Sequence, residues 1–241
     1  MKRIVAVLLV AVVGAAFAQD PPPRFELDTR DIRLTPPPVR QPQSIQNDIL
    51  RARVNTFYGP TGLITVPHAY VATQGRITLG TFFAENKSVS ANYGLIDSIE
   101  VGGAYIDRTG MSNKSIANGK VNVIPANFKN IEVGIGIIDA IDAINQTFFV
   151  VASAELAPTS GMQEREVVGL RVHGGYGSGV FREEFIGGAE ILFSYKVSVI
   201  GEWDGRQFNA GLRYARDEAL RLQIGILAKR LFFSTTYAFT F

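Results

Sequence analysis

The sequence predicts an all-β chain: an antiparallel up-and-down transmembrane β-barrel of about twelve strands, preceded by a signal peptide and a proline-rich linker. Three observations predict it. From Gly75 onward apolar residues alternate with small or polar ones, the period of a strand with two unlike faces. Turn signals recur about every 14 residues, which suits membrane crossings of roughly 9–11 tilted residues joined by short turns. The polar faces carry glycines and charges, whereas the apolar faces carry aromatic residues near strand ends. A soluble sandwich would turn its polar faces to water; a barrel turns them into its lumen and presents an aromatic girdle to lipid.

The elements follow in chain order. Lys2 and Arg3, the apolar run Ile4–Ala18 and the small-residue site Ala16-Phe17-Ala18 read as a signal peptide over residues 1–18, cut after Ala18. That leader holds two bases and no acid, so the remainder carries 22 basic and 22 acidic residues, and nothing in its net charge supports nucleic-acid binding. Residues 19–56 form the linker: seven of the 11 prolines lie between Pro21 and Pro42, favouring a stiff, extended periplasmic spacer. The barrel domain occupies residues 57–241. It opens on Phe57-Tyr58-Gly59-Pro60-Thr61-Gly62-Leu63-Ile64-Thr65-Val66-Pro67-His68, where Gly59, Gly62 and Pro67 shape an inlet turn or the edge of a plug.

Twelve strands are expected near 76–85, 88–94, 98–107, 118–126, 131–138, 146–155, 166–174, 186–194, 196–203, 207–214, 219–228 and 231–240. The longer connections at 108–117 and 175–185 fall on one side, opposite the chain ends; 156–165 is a long turn on the other. The polar faces carry Glu100, Glu132, Glu155, Glu190 and Glu202, along with Arg171, Arg213, Arg221, Lys196 and Lys229. Outward aromatic residues near strand ends are Tyr105, Trp203, Tyr214 and Tyr237. Asp204-Gly205 marks a hairpin turn, with Glu202 and Asn209 on neighbouring strands and Arg213 on the same polar side. Glu100, Glu132, Arg171, Glu190, Glu202, Asn209, Arg213 and Arg221 are therefore the candidate lumen residues. They serve either as a buried cluster bracing the wall or as a constriction ordering a sugar or an anion. The last strand places Phe233, Tyr237, Phe239 and Phe241 on one face, which resembles the terminal strand recognised by the barrel-assembly machinery, an expected partner.

The phrase Phe57–Ala69 followed by Gly75-Arg76-Ile77 resembles the opening of YjbH-like outer-membrane proteins. The phrase Glu202-Trp203-Asp204-Gly205, followed by Asn209-Ala210-Gly211 and Arg213-Tyr214, is similar to a second motif of that family. The resemblance implies a barrel, here a short single-barrel member, associated with exopolysaccharide production or secretion. By that implication its partners are outer-membrane lipid and polysaccharide or export components.

Other chemistry lacks support in the sequence. The absence of cysteine excludes disulfides, thiolate metal sites, a cysteine nucleophile and an N-terminal lipid anchor. His68 and His173 cannot make a three-histidine zinc site, and no cofactor motif is present. His173 alternates with Val172 and points to the lumen, unlike the lipid-facing histidine of a barrel phospholipase. Five scattered glutamates carry no glycosidase spacing. The expectation is a non-enzymatic outer-membrane barrel of a diderm bacterium, structural or accessory to envelope polysaccharide. A narrow diffusion channel for small solutes or sugars is the alternative.

Overall fold

A computed structural model describes residues 54–124, 131–157, 169–193, 196–217 and 219–240. The expected signal peptide, nearly all of the linker and Phe241 lie outside these residues. Alternation produces the twelve expected strands: β1 (Arg76–Phe83), β2 (Lys87–Ile96), β3 (Ile99–Asp107), β4 (Lys114–Ile124), β5 (Ile131–Ile138) and β6 (Thr147–Ala157) form the first half. β7 (Gly169–Gly177), β8 (Glu184–Leu192), β9 (Val197–Trp203), β10 (Phe208–Ala215), β11 (Leu220–Leu227) and β12 (Arg230–Thr240) form the second. Each pairs antiparallel with its chain neighbour, and β1 pairs with β12 from Arg76↔Thr240 to Phe83↔Phe233, so the barrel is closed. Closure removes every sheet edge, and all ladder hydrogen bonds stay within the ring.

The meander puts the start of β1 and the end of β12 at one end of the barrel, called here the terminal end. Connections 108–113 and 178–183 lie at the opposite, far end, on the side expected from the sequence. Three register shifts, at Gly94/Ile96, Asn122/Ile124 and Glu155/Ala157, all sit toward the terminal end, where they bend β2, β4 and β6.

The faces are those of a barrel in lipid. Along β2, Ser88, Ser90 and Asn92 are buried inside, while Val89, Ala91 and Tyr93 are exposed outside. A soluble sandwich would reverse that order. Phe83, Tyr105, Tyr176, Phe185, Trp203 and Phe208 face outward near the far end; Tyr93, Phe193, Tyr214 and Tyr237 face outward toward the terminal end. Two aromatic belts bounding an apolar band are the mark of a membrane crossing. The architecture is that of an outer-membrane barrel.

Inside, the wall is stratified. Near the far end Phe82, Ile106, Ile116, Ile138, Phe149 and Phe232 form an apolar layer that packs against Phe57 and Phe181. Toward the terminal end the wall is polar and charged. The internal space between is filled by residues 54–74, which fold inside the ring: Val54, Leu63, Ile64, Val66 and Ala69 are at most 1% exposed. The internal segment thus includes Val54–Thr56, so an organisation that starts the barrel domain at residue 57 divides it. Lumen glycines make the room. A Cβ on Gly188 would meet Leu63 Cδ1 at 2.6 Å, and one on Gly134 would meet Ala69 Cα at 2.9 Å.

Candidate functional site

The internal segment is the centre of the site, and its shape follows from its glycines and prolines. Gly59 has φ of +114°, which a side chain rarely adopts. At Gly62 a Cβ would stand 2.3 Å from the Val66 carbonyl. Pro60 and Pro67 need no hydrogen-bond acceptor for a backbone N–H. The chain doubles back through Thr56 N–H to Pro60 O, Gly62 N–H to Val54 O and Leu63 N–H to Val66 O. Gly62 and Pro67 pair as an isolated bridge. The sequence alternatives of inlet turn and plug edge resolve into a plug occupying the lumen.

A compact loop inside a barrel must have its backbone polar groups satisfied. The wall does this with named side chains. Glu202, fully buried on β9, accepts from Ile64 N (2.9 Å), Thr65 N (2.9 Å), Val66 N (3.2 Å) and the Thr65 hydroxyl (2.6 Å). Three successive amides converging on one carboxylate form an anion-binding nest, here filled by the protein's own side chain. Asn209, opposite Glu202 in the β9–β10 register, donates to it at 3.1 Å. Arg213 donates to the carbonyls of Gly62 (3.1 Å) and Leu63 (3.2 Å) and pairs with Glu190 at 3.1 Å. Glu190 also accepts from Ser198 (2.6 Å) and faces Arg171 at 3.6 Å.

The opposite wall makes a second clamp. Glu100 on β3 accepts from Thr61 N (2.9 Å), the Thr61 hydroxyl (2.6 Å) and Ala72 N (2.8 Å). Lys120 pairs with Glu100 at 3.5 Å and donates to the Thr61 carbonyl at 2.9 Å. Ser153 receives the Ala69 amide at 2.9 Å. From Thr61 to Ala69 every backbone N–H has a partner.

The eight candidate lumen residues are all buried inside the barrel, and six of them hold or support the plug in different degrees. Glu100, Glu202 and Arg213 touch it. Glu190, Asn209 and Arg171 brace those three. Glu132 instead binds Asn122 on the neighbouring strand, and Arg221 donates to the carbonyls of Asp217 and Leu220 at the terminal rim. Asp204 caps its own hairpin by accepting from the amides of Arg206 (2.9 Å) and Gln207 (3.0 Å), and Gly205 has the positive φ (+83°) expected of the turn. Two residues depart from the expectation. Lys196 and Lys229 are exposed in connections, not on the lumen face, because the strands beside them start or end one residue away. Glu155 is only half-buried at the terminal end of β6.

Sequence reasoning missed Lys120, Asn92 and Asn118, which hold the plug, and Asn55, by which the plug grips the wall. Asn92 donates to the Gly59 carbonyl (2.6 Å) and Asn118 to that of Tyr58 (2.8 Å). The signal was present: Asn118, Lys120 and Asn122 share one face of β4. His173 points inward as expected, with Nδ1 2.8 Å from Ser153 Oγ, and its ring lies 5.8 Å from that of His68 in the plug. Among the described residues no cluster of ligands fit for a metal ion occurs.

No family model and no curated protein matches the chain. Among solved structures it is similar to a KdgM porin (TM-score 0.44, 9% identity, covering 69% of this chain and 99% of that one). A KdgM porin in complex with disordered oligogalacturonate gives TM-score 0.43 at 10% identity, covering 69% and 99%. The N-terminal β-barrel domain of Pseudomonas aeruginosa OprF gives 0.26 at 8%, covering 70% and 100%. At these levels the likeness is one of barrel architecture and carries no functional argument.

Proposed function

We propose that the protein works as a closed outer-membrane barrel, structural or accessory to the cell envelope, with its lumen permanently occupied by its own residues 54–74. The observation that carries this reading is the nest of Ile64, Thr65 and Val66 amides on buried Glu202. A solute path through the barrel would have to displace that carboxylate's partners and the Arg213 and Lys120 contacts together. The terminal end, where β1 begins and β12 ends, faces the periplasm in this reading, and the far end faces outward. The accessory role in polysaccharide production or export rests on the resemblance of two sequence phrases to YjbH-like proteins. Those phrases are the plug and the hairpin that grips it, so they pair for a mechanical reason that does not itself require a polysaccharide.

A second reading is a narrow diffusion channel with a removable plug, favoured by the polar wall behind residues 54–74. Conductance of the full chain in planar bilayers separates the two. The closed barrel gives no stable steps, and breaking the clamp with E202A plus R213A raises the frequency of openings. Steady conductance of the unmodified chain would overturn the closed reading in favour of the channel.

A further inference from the structure

Above the plug, at the far end, the hairpin turn after β9, the connection after β1, the β11–β12 turn and the loop before β8 enclose a cleft of about 190 Å³. The clamp reaches it only through Thr65, whose N–H and hydroxyl are held by Glu202. Its floor is the plug itself: Tyr58 meets the cleft, held edge-on by Phe57 (centroids 5.1 Å apart) and Phe181 (6.3 Å). Its rim carries Arg206, Gln207 and Asn86, and beside them the pair Arg230–Glu85 at 2.8 Å.

The formal charges of this rim balance, Arg206 and Arg230 against Asp204 and Glu85, but they are not all paired with one another. Asp204 is 7% exposed and its carboxylate is already engaged by its own turn and by Asn209 at 3.0 Å. Arg230 is taken by Glu85. Arg206 is exposed and has no carboxylate within ion-pairing distance among the described residues. Its backbone is nevertheless fixed: Asp204 accepts the Arg206 amide at 2.9 Å, and a Cβ on Gly205 would come 2.5 Å from the Phe181 carbonyl, so the turn lies pressed on the neighbouring loop.

An aromatic floor stacks against the C–H face of a sugar ring, side-chain amides pair with hydroxyls, and a guanidinium grips a carboxylate with two parallel hydrogen bonds. The volume lies below the roughly 300 Å³ at which drug-sized sites begin, so it suits one ring. A small inorganic anion would use Arg206 and leave the floor uncovered. We infer that the far-end cleft binds a single acidic sugar unit, with the carboxylate on Arg206 and the ring over Tyr58. This rests on the closed-barrel reading, because Phe57 and Tyr58 form the floor only while the plug is seated.

The test titrates the full chain, folded in detergent micelles, with methyl glucuronide or methyl glucoside followed by saturation-transfer NMR, and with inorganic phosphate as a competitor that displaces the bound glucuronide. Saturable binding of the glucuronide in the millimolar range is expected, with the glucoside and phosphate weaker by about tenfold, the scale of one charge-assisted hydrogen bond. R206A lowers glucuronide affinity by a similar factor and R206K restores part of it, while heat-dependent gel mobility shows that both variants are folded. Equal binding of glucoside and glucuronide, equal binding of phosphate, no saturable binding, or indifference to R206A each overturns the site. Conductance on the same preparation keeps the two ideas apart. A silent barrel that binds no sugar sinks only the site, and a conducting barrel sinks the closed reading.

Discussion

Glu202 is a carboxylate moved from water to the inside of a barrel, a transfer that costs several kcal/mol unless hydrogen bonds replace its hydration. Three amides, a hydroxyl and the Asn209 amide replace it here, all within 3.2 Å. The Glu202→Gln variant keeps the shape but turns an N–H₂ group toward donors, leaving one or two of them unpaired. Each such donor costs roughly 1–3 kcal/mol. The expected outcome is a lower urea midpoint for unfolding from lipid vesicles; an unchanged midpoint would mean the nest contributes nothing to stability. The sequence placed Glu202, Asn209 and Arg213 on the polar side of one hairpin, as a wall-bracing cluster or as a constriction. It did not reveal their partner, because the contact to Ile64 spans 138 residues and hydrophobic alternation says nothing about what fills a lumen.

The strands were legible for a simple reason: a wall between lipid and a polar interior imposes a period of two on every crossing, as the burial pattern of β2 records residue by residue. The plug has no such period. Apart from Tyr58, residues 54–70 are buried throughout, so no face is distinguished, and only Gly59, Gly62 and Pro67 hint at a compact turn. The expected start of β4 at residue 118 was late for a related reason. Lys114 to Ala117 continue the ladder opposite Gly103–Ile106 but mix charge, polar and apolar residues at the rim. The lipid-facing reading of these elements has a direct test. Leu212 lies mid-strand on β10 and is 44% exposed to the outside. Leu212→Arg is expected to destabilise the barrel by roughly 2–4 kcal/mol in vesicles, the cost of a cation at bilayer depth. A shift below a few tenths of a kcal/mol, ordinary for a solvated surface, would sink the membrane assignment of that face.

For the molecule as a whole, closure through β1 and β12 predicts a ring with no loose edge. The unboiled protein in SDS is therefore expected to migrate differently from the boiled one in an outer-membrane fraction; identical mobility would argue against a closed ring in that membrane. The seam carries a further consequence. Asn55 donates to the Thr78 carbonyl on β1 (3.4 Å) and to Ser90 on β2 (2.9 Å), accepts from the Thr78 hydroxyl (2.8 Å), and gives its own amide to Thr236 on β12 (3.2 Å). One residue of the inner segment thus touches both strands that meet last in sequence. Joining the first strand to the last has the highest loop-closure cost of any pairing in the ring. Asn55 acts there as an inspection stud: with the inner segment in position the join gains three buried hydrogen bonds, and a ring shut around an empty interior leaves Thr78 and Thr236 facing a void. Assembly therefore favours cylinders that are loaded before they are sealed.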